Sequence, residues 1–182
     1  MMKTEHVPPG PGDLDIDVAV NCSLWDDALP DAQALARTAA EAAWRAVRTG
    51  TGGQETEASI VLADDAFVQT LNRDYRDRDK PTNVLSFPAS GEGAVAAPDM
   101  PVLLGDIVVA FETTTAEAAL EGKTLGDHLC HLVVHGMLHL LGHDHQAATD
   151  ADAMEALEID VLAGLHIDNP YDAAVAEDDP NR

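Results

Sequence analysis

The stretch His131-Leu132-Val133-Val134-His135-Gly136-Met137-Leu138-His139-Leu140-Leu141-Gly142-His143-Asp144-His145 decides how this chain is read. Five of the protein's eight histidines fall within it. His135 and His139 are four apart, and residues so spaced on a helix lie one above the other on the same face. Two such imidazoles can converge on one metal ion. Gly142 supplies a stop, because glycine commonly takes the left-handed conformation that ends a helix. Beyond that turn the chain can fold back, and either His143 or His145 can offer a third nitrogen. Spacing alone leaves that choice open. Three protein ligands with a fourth position open are the pattern of a catalytic zinc site, whereas structural zinc is usually closed by four.

The neighbours of this pair read differently. His128 and His131 share nearly the same stripe, at i−7 and i−4 from His135. One ion cannot take them all, so His131 is expected behind the ligands or in a structural role, and His128 exposed near the helix start. Cys130 lies about 140° around the helix from His135 and is a poor ligand candidate. Asp144 suits two roles equally: orienting an imidazole or capping the turn. In zinc peptidases the pattern is His-Glu-x-x-His, with glutamate as general base. Gly136 stands in that second position, so a peptidase would need its carboxylate from elsewhere. A bound metal lowers the pKa of its water toward about 7, so hydrolysis need not use a dedicated carboxylate. Cleavage of a phosphodiester would also need a cation for the developing charge, and arginine is the usual choice. Arg76 is the candidate. Its competing reading is a surface arginine paired with Asp74 or Asp79, which spacing alone favours.

Composition sets outer limits. A chain of 182 residues with 46% apolar content suits one domain with a sizeable core. No run of eighteen apolar residues exists, and residues 1 to 14 lack the apolar core of a signal peptide, so a cytoplasmic location without membrane contact is expected. Cys22 and Cys130 read as small buried hydrophobes rather than a disulfide. The formal net charge of −23 argues against a broad electrostatic footprint on nucleic acid. Arg73, Arg76, Arg78 and Lys80 form the one basic cluster, diluted by Asp74, Asp77 and Asp79. Any anion site must therefore be local.

Outward from the histidine helix, the pattern is α/β. Residues 1–13 read as a flexible leader. Ile16–Val20 alternates as a strand. A helix starts at Pro30-Asp31, with Leu35, Ala39, Ala43, Trp44 and Val47 at helical spacing. Ala58–Leu62 is a short apolar strand. Asp64 or Asp65 caps the next helix, with Phe67, Leu71 and Tyr75 on one face. Thr82–Phe87 and Leu104–Phe111 are strands, able to pair across the Ala89–Met100 loop. Thr113–Leu120 is a helix ending near Gly122. Thr124, with Asp127 three residues on, opens the histidine helix with a capping-box pattern. A last helix spans roughly 151–165, with Met154, Leu157, Val161 and Leu165 inward, and 172–182 reads as an acidic disordered tail. The expected fold is a single small mixed sheet of about four strands packed with about five helices, the zinc site at a helix end, in one domain over 14–171.

The sequence from His135 to His145 resembles the signature of the YbeY family of bacterial metal-dependent endoribonucleases, His-Gly-x-Leu-His-Leu-x-Gly-Tyr-Asp-His. The resemblance extends to Leu71-Asn72 with Tyr75-Arg76, and to Asp79-Lys80-Pro81-Thr82-Asn83-Val84-Leu85-Ser86-Phe87-Pro88. It continues through Leu104-Gly105-Asp106-Ile107, Met154-Glu155 and Asn169-Pro170-Tyr171, and so covers about residues 15 to 172. It implies an α/β fold and one zinc ion held by His135, His139 and His145. It also implies cleavage of single-stranded RNA, in maturation of ribosomal RNA at the 3′ end of the small-subunit RNA and in ribosome quality control. The functional arginine of the family carries over to Arg76, against the preference from spacing. Asp106 matches a family position and reads as structural. His143 stands where the family usually has tyrosine, which places an extra potential ligand beside His145. Partners implied are single-stranded RNA and the ribosome or its proteins. Two rivals remain: a zinc metalloprotease-like hydrolase, and a non-enzymatic ribosome-assembly factor with structural zinc. Three imidazoles suit several metals, so nickel or another ion stays open against zinc.

Overall fold

A computed structural model of the chain describes residues 14–47, 54–89, 100–143 and 148–172. The expected leader over 1–13, most of the 89–100 loop and the tail beyond 172 lie outside these residues, as do Asp144 and His145.

Four strands form one sheet: β1 (Leu14–Val20), β2 (Thr56–Ala63), β3 (Val84–Pro88) and β4 (Val102–Ala110). Their order is β1-β2-β4-β3. The pairs β1·β2 and β2·β4 are parallel, and β3 runs antiparallel to β4 with Ser86 opposite Ile107. Parallel neighbours need a crossover, and helix α2 (Ala32–Val47) supplies it between β1 and β2. The mixed sheet is as expected, and β3 and β4 do pair across the 89–100 loop.

Side chains alternate across a strand, so each strand feeds both faces of the sheet. On one face Ile16, Val18, Ile60, Leu62, Ile107 and Val109 join a core with α2 and with helices α5 (Leu125–Leu140) and α6 (Ala148–Gly164). On the other, Ala63, Leu85, Val108 and Ala110 pack with Val68 of α3 (Asp65–Arg76). Among the described residues, that second face is only partly covered. Beyond α3, Asp15, Asp17, Glu57 and Asp106 line an open acidic concavity, in which Asp15 pairs in register with Glu57, and Ser59 with both Asp17 and Asp106.

Six helices form among the described residues, in line with the expected about five; the one without a counterpart in the sequence reading is α1 (Ser23–Ala28). Its six residues are too few to show a helical period. It is held by Trp25, which is fully buried, donates from Nε1 to the Ala63 carbonyl at 3.0 Å, and meets Phe111 of α4 (Phe111–Glu121) edge-on at 5.1 Å. The face of α3 that carries Phe67 and Tyr75 is not the one turned to the sheet. Val68 and Asn72 are its buried residues, while Phe67 and Tyr75 are exposed. The Asp64 cap is as read, accepting from the Phe67 N–H at 2.8 Å, but the sheet meets the face one residue further round. One expectation needs correction: His128 is not exposed near the start of α5 but 3% exposed, turned toward α4.

Candidate active site on the central helix

Helix α5 starts where the sequence places it. Thr124 is the N-cap, and its Oγ1 accepts from the Asp127 N–H at 3.0 Å. The helix ends at the expected glycine. Gly142 has φ +91°, its N–H donates to the His139 carbonyl, and the His143 N–H donates to the Leu138 carbonyl, each at 3.0 Å. This pattern satisfies carbonyls otherwise left without donors at a helix end.

Gly136 has a role that the motif comparison missed. A Cβ built there would lie 3.0 Å from Ile107 Cγ2 and 3.1 Å from Ser86 Oγ. The glycine lets α5 sit directly on β4 and β3. The position is tightly packed, so a side chain there would press on Ile107 and Ser86, and the packing disfavours a His-Glu-x-x-His arrangement on this sheet.

His135 and His139, one turn apart, are half-buried. Their Nε2 atoms lie 3.1 Å apart, with ring planes at 78°. In a tetrahedral zinc site with bonds of about 2.0–2.1 Å, two ligand nitrogens would be roughly 3.3 Å apart. The donor set therefore fits a shared metal ion. Among the described residues no cluster of three such ligands forms; His145, expected as the third, lies outside them. Cys130 is 4% exposed, and burial, with the carboxylates of Asp127 and Asp31, pushes its thiol up to about 12. It offers no thiolate to a metal at neutral pH.

Behind His135 stands Glu158 of α6, a group that the sequence reading passed over. It is 1% exposed. Its Oε1 accepts from His135 Nδ1 at 2.5 Å, its Oε2 accepts from the Tyr171 hydroxyl, and His131 Nε2 lies 3.8 Å from Oε2. Burial pushes the Glu158 pKa up, but the hydrogen bonds from His131, His135 and Tyr171 outweigh it and hold the carboxyl at about 2. Burial, together with the Glu158 carboxylate, raises the Tyr171 pKa, so the phenol keeps its proton. One signal for Glu158 was available: it sits among Met154, Leu157 and Val161 on the inward stripe of α6, where a charge needs a partner.

Arg76 ends α3. Its expected carboxylate partners are engaged elsewhere: Asp74 pairs with Arg73 at 2.9 Å, and Asp79 accepts from Gln69 at 2.9 Å. Arg76 instead donates from Nη2 to the Ser86 carbonyl at 3.1 Å, and its guanidinium lies 5.9 Å from the Phe87 ring centroid. β3 is an edge strand, so the arginine caps a carbonyl on the rim of the sheet. Ser86 thus joins two elements: its hydroxyl abuts Gly136 of the histidine helix, and its carbonyl holds Arg76.

Fold and site define a class first: an α/β protein whose central helix presents a pair of converging imidazoles, one of them backed by a buried carboxylate. The sequence model of the family described as Endoribonuclease YbeY matches residues 22–166. The chain is 54% identical over 159 residues to the Endoribonuclease YbeY of Paramagnetospirillum magneticum, covering 87% of this chain and 96% of that relative. It is 51% identical over 160 residues to the Endoribonuclease YbeY of Azorhizobium caulinodans, with the same coverage of 87% and 96%. A solution structure of a Thermotoga maritima protein is similar at 21% identity and a TM-score of 0.49, covering 92% of this chain and 99% of that one. This chain belongs to the YbeY endoribonuclease family.

Proposed function

We propose that the protein is a zinc-dependent, single-strand-specific endoribonuclease that matures ribosomal RNA, at the 3′ end of the small-subunit RNA, and serves ribosome quality control in the cytoplasm. A single domain over 14–171 carries the activity. The observation that carries this reading is the His135–His139 pair, with Nε2 atoms 3.1 Å apart at the end of α5. His135, His139 and His145 hold one ion. Bound zinc would supply Lewis acidity and a water nucleophile at neutral pH.

The chain's own residues do the rest. The Gly142 turn ends α5 directly after the imidazole pair. Arg76, already held on the rim of β3 by the Ser86 carbonyl, offers its remaining N–H groups to a phosphate and stabilises charge that develops on phosphorus. Its order on the rim lowers the entropy lost on engaging substrate. The acidic concavity beside Asp106 repels the RNA backbone, so single-stranded substrate enters along the β3 rim near Arg76, and recruitment to the ribosome relies on contacts other than a broad basic patch. The close packing at Gly136 disfavours the peptidase alternative.

The test is His135→Ala in the full chain, with metal content and cleavage of a single-stranded RNA measured together. Both are expected to fall to background. Cleavage retained by metal-free variant protein sinks the mechanism. Arg76→Glu is expected to impair cleavage with zinc still bound, and an unchanged rate would remove Arg76 from catalysis.

A further inference from the structure

Glu158 is an unusual group to find where it is: a carboxylate on an inward helix face, 1% exposed, inside an apolar core. Carboxylates are almost never fully buried unless paired. Its pairing is specific. One oxygen takes His135 Nδ1 and the other takes the Tyr171 hydroxyl. We propose that Glu158, clamped by Tyr171, is the positioning residue that fixes the tautomer and ring orientation of His135. The proposal rests on the reading of His135 as a metal ligand.

A neutral imidazole carries one proton on its two nitrogens, and the nitrogen without it is the one with a lone pair for a metal. A carboxylate only accepts, so Nδ1 must be the protonated nitrogen. Nε2 is then bare, and Nε2 is the atom 3.1 Å from its counterpart on His139. Glu158 thus selects which nitrogen faces the site and stops the ring turning.

The clamp comes from the end of the described chain. After α6 the segment 166–172 returns over the start of α5. Lys123 Nζ donates to the Pro170 carbonyl at 3.0 Å, and the Tyr171 N–H donates to Asn169 Oδ1 at 2.9 Å. The Tyr171 ring meets His131 edge-on at 5.6 Å. A closing strap thereby places the phenol on the second carboxylate oxygen, and a carboxylate held at both oxygens cannot swing away from His135. A purely structural Glu158, a bolt between α5 and α6, would show the same contacts but leave the state of the ring indifferent to its removal.

The experiment uses the full chain with Glu158→Leu, Glu158→Gln and Tyr171→Phe. Two quantities are read: the imidazole ¹⁵N shifts of His135 in metal-free protein at a pH where histidine is neutral, and the zinc dissociation constant by competition with a chromophoric chelator. The unsubstituted protein is expected to show His135 protonated on Nδ1. Glu158→Leu is expected to lose that preference and weaken zinc by roughly 10- to 100-fold, the range typical of partners behind a ligand. Glu158→Gln, which can still accept from Nδ1, recovers part of both. Tyr171→Phe weakens zinc less than Glu158→Leu. A folded Glu158→Leu protein with an unaltered tautomer and zinc affinity, and only a lowered melting temperature, overturns the proposal. Should that variant fail to fold, unaltered values in Tyr171→Phe overturn it instead. If unsubstituted protein binds no zinc, the ligand reading fails on its own, and the ¹⁵N shifts of metal-free protein still decide the role of Glu158.

Discussion

Helix α5 uses histidine in two ways, one in each half. In its first half His128 is buried, and its Nε2 meets Glu117 Oε2 at 2.9 Å. The same oxygen accepts from Asn83 Nδ2 at 2.9 Å, so the carboxylate ties α5 to α4 and to the residue before β3. In the second half His135 also meets a carboxylate, but through Nδ1, on the inner side of the ring. Its Nε2 is turned toward His139. One carboxylate takes up the nitrogen at the far end of the ring and makes the histidine a structural link. The other takes the near nitrogen and leaves the far one directed at a site. Residue type and helical spacing are shared, and the nitrogen engaged separates the two roles.

If that distinction holds, the two halves should respond separately to substitution. The largest expected effect is at His139. His139→Ala is expected to weaken zinc by more than about 100-fold, beyond the loss typical of partners behind a ligand, and to abolish RNA cleavage while the unfolding midpoint moves little. Metal analysis and a urea melt on one preparation check both. Zinc retained at full stoichiometry would leave the second half without its distinguishing role.

Gly136→Val comes next and tests what the halves share. Its branches would meet Ile107 and Ser86, already 3.0 and 3.1 Å from a bare Cβ. Overpacking of this kind costs about 1–3 kcal/mol. Because Ser86 also holds Arg76, lifting α5 from β3 is expected to reduce cleavage as well as stability. A lowered urea midpoint with an unchanged slope would show that stability alone was lost. If full cleavage persists in the folded fraction, the sheet contact does not set the site.

Why these features were or were not legible follows from range. The caps at Asp64 and Thr124 and the Gly142 stop depend on residues within four positions, and each is where the sequence places it. The first strand followed from alternation and the others from short apolar or strand-favouring runs, which report burial without naming what provides it. Burial of His128 depends on Glu117, eleven residues away on another helix, so spacing along α5 could not reveal it. Glu158 lies 23 residues from His135 and was concealed by the rule that inward positions are apolar. The Arg76 contact was misjudged for the opposite reason: nearby carboxylates looked like partners, yet the guanidinium reaches a backbone carbonyl ten residues on. Gly136 looked like an absence in a motif, whereas it is a close contact with the sheet beneath it.

His128→Ala is expected to show the opposite pattern to His139→Ala. It removes one of the two groups that meet Glu117 Oε2, leaving Asn83 as the other, and opens space in a site that is 3% exposed. The loss of a buried hydrogen-bonded group costs about 1–3 kcal/mol. Zinc affinity should match the unsubstituted protein, as read by the same chelator competition. A zinc defect as large as the stability defect would mean that the network around Glu117 reaches the second half, and the separation of roles would fail.

The smallest expected effect, and the sharpest check on independence, is at Thr124. Its hydroxyl oxygen accepts from the Asp127 N–H at 3.0 Å and satisfies one of the donors orphaned at the start of α5. Replacing an N-cap threonine with alanine typically costs about 1 kcal/mol. Lys123, the next residue back, anchors the Pro170 carbonyl, so fraying of the first turn would loosen the strap that delivers Tyr171 to Glu158. Thr124→Ala should therefore raise amide exchange across the first turn, including His128, and soften the Tyr171 clamp slightly. Thr124→Ser, which keeps the acceptor, should restore both. Because Glu158 remains bonded to His135 when the clamp loosens, the zinc constant is expected to change by less than in Tyr171→Phe. A zinc defect in Thr124→Ala exceeding that of Tyr171→Phe would show that the cap reaches the site along the helix and not through the strap.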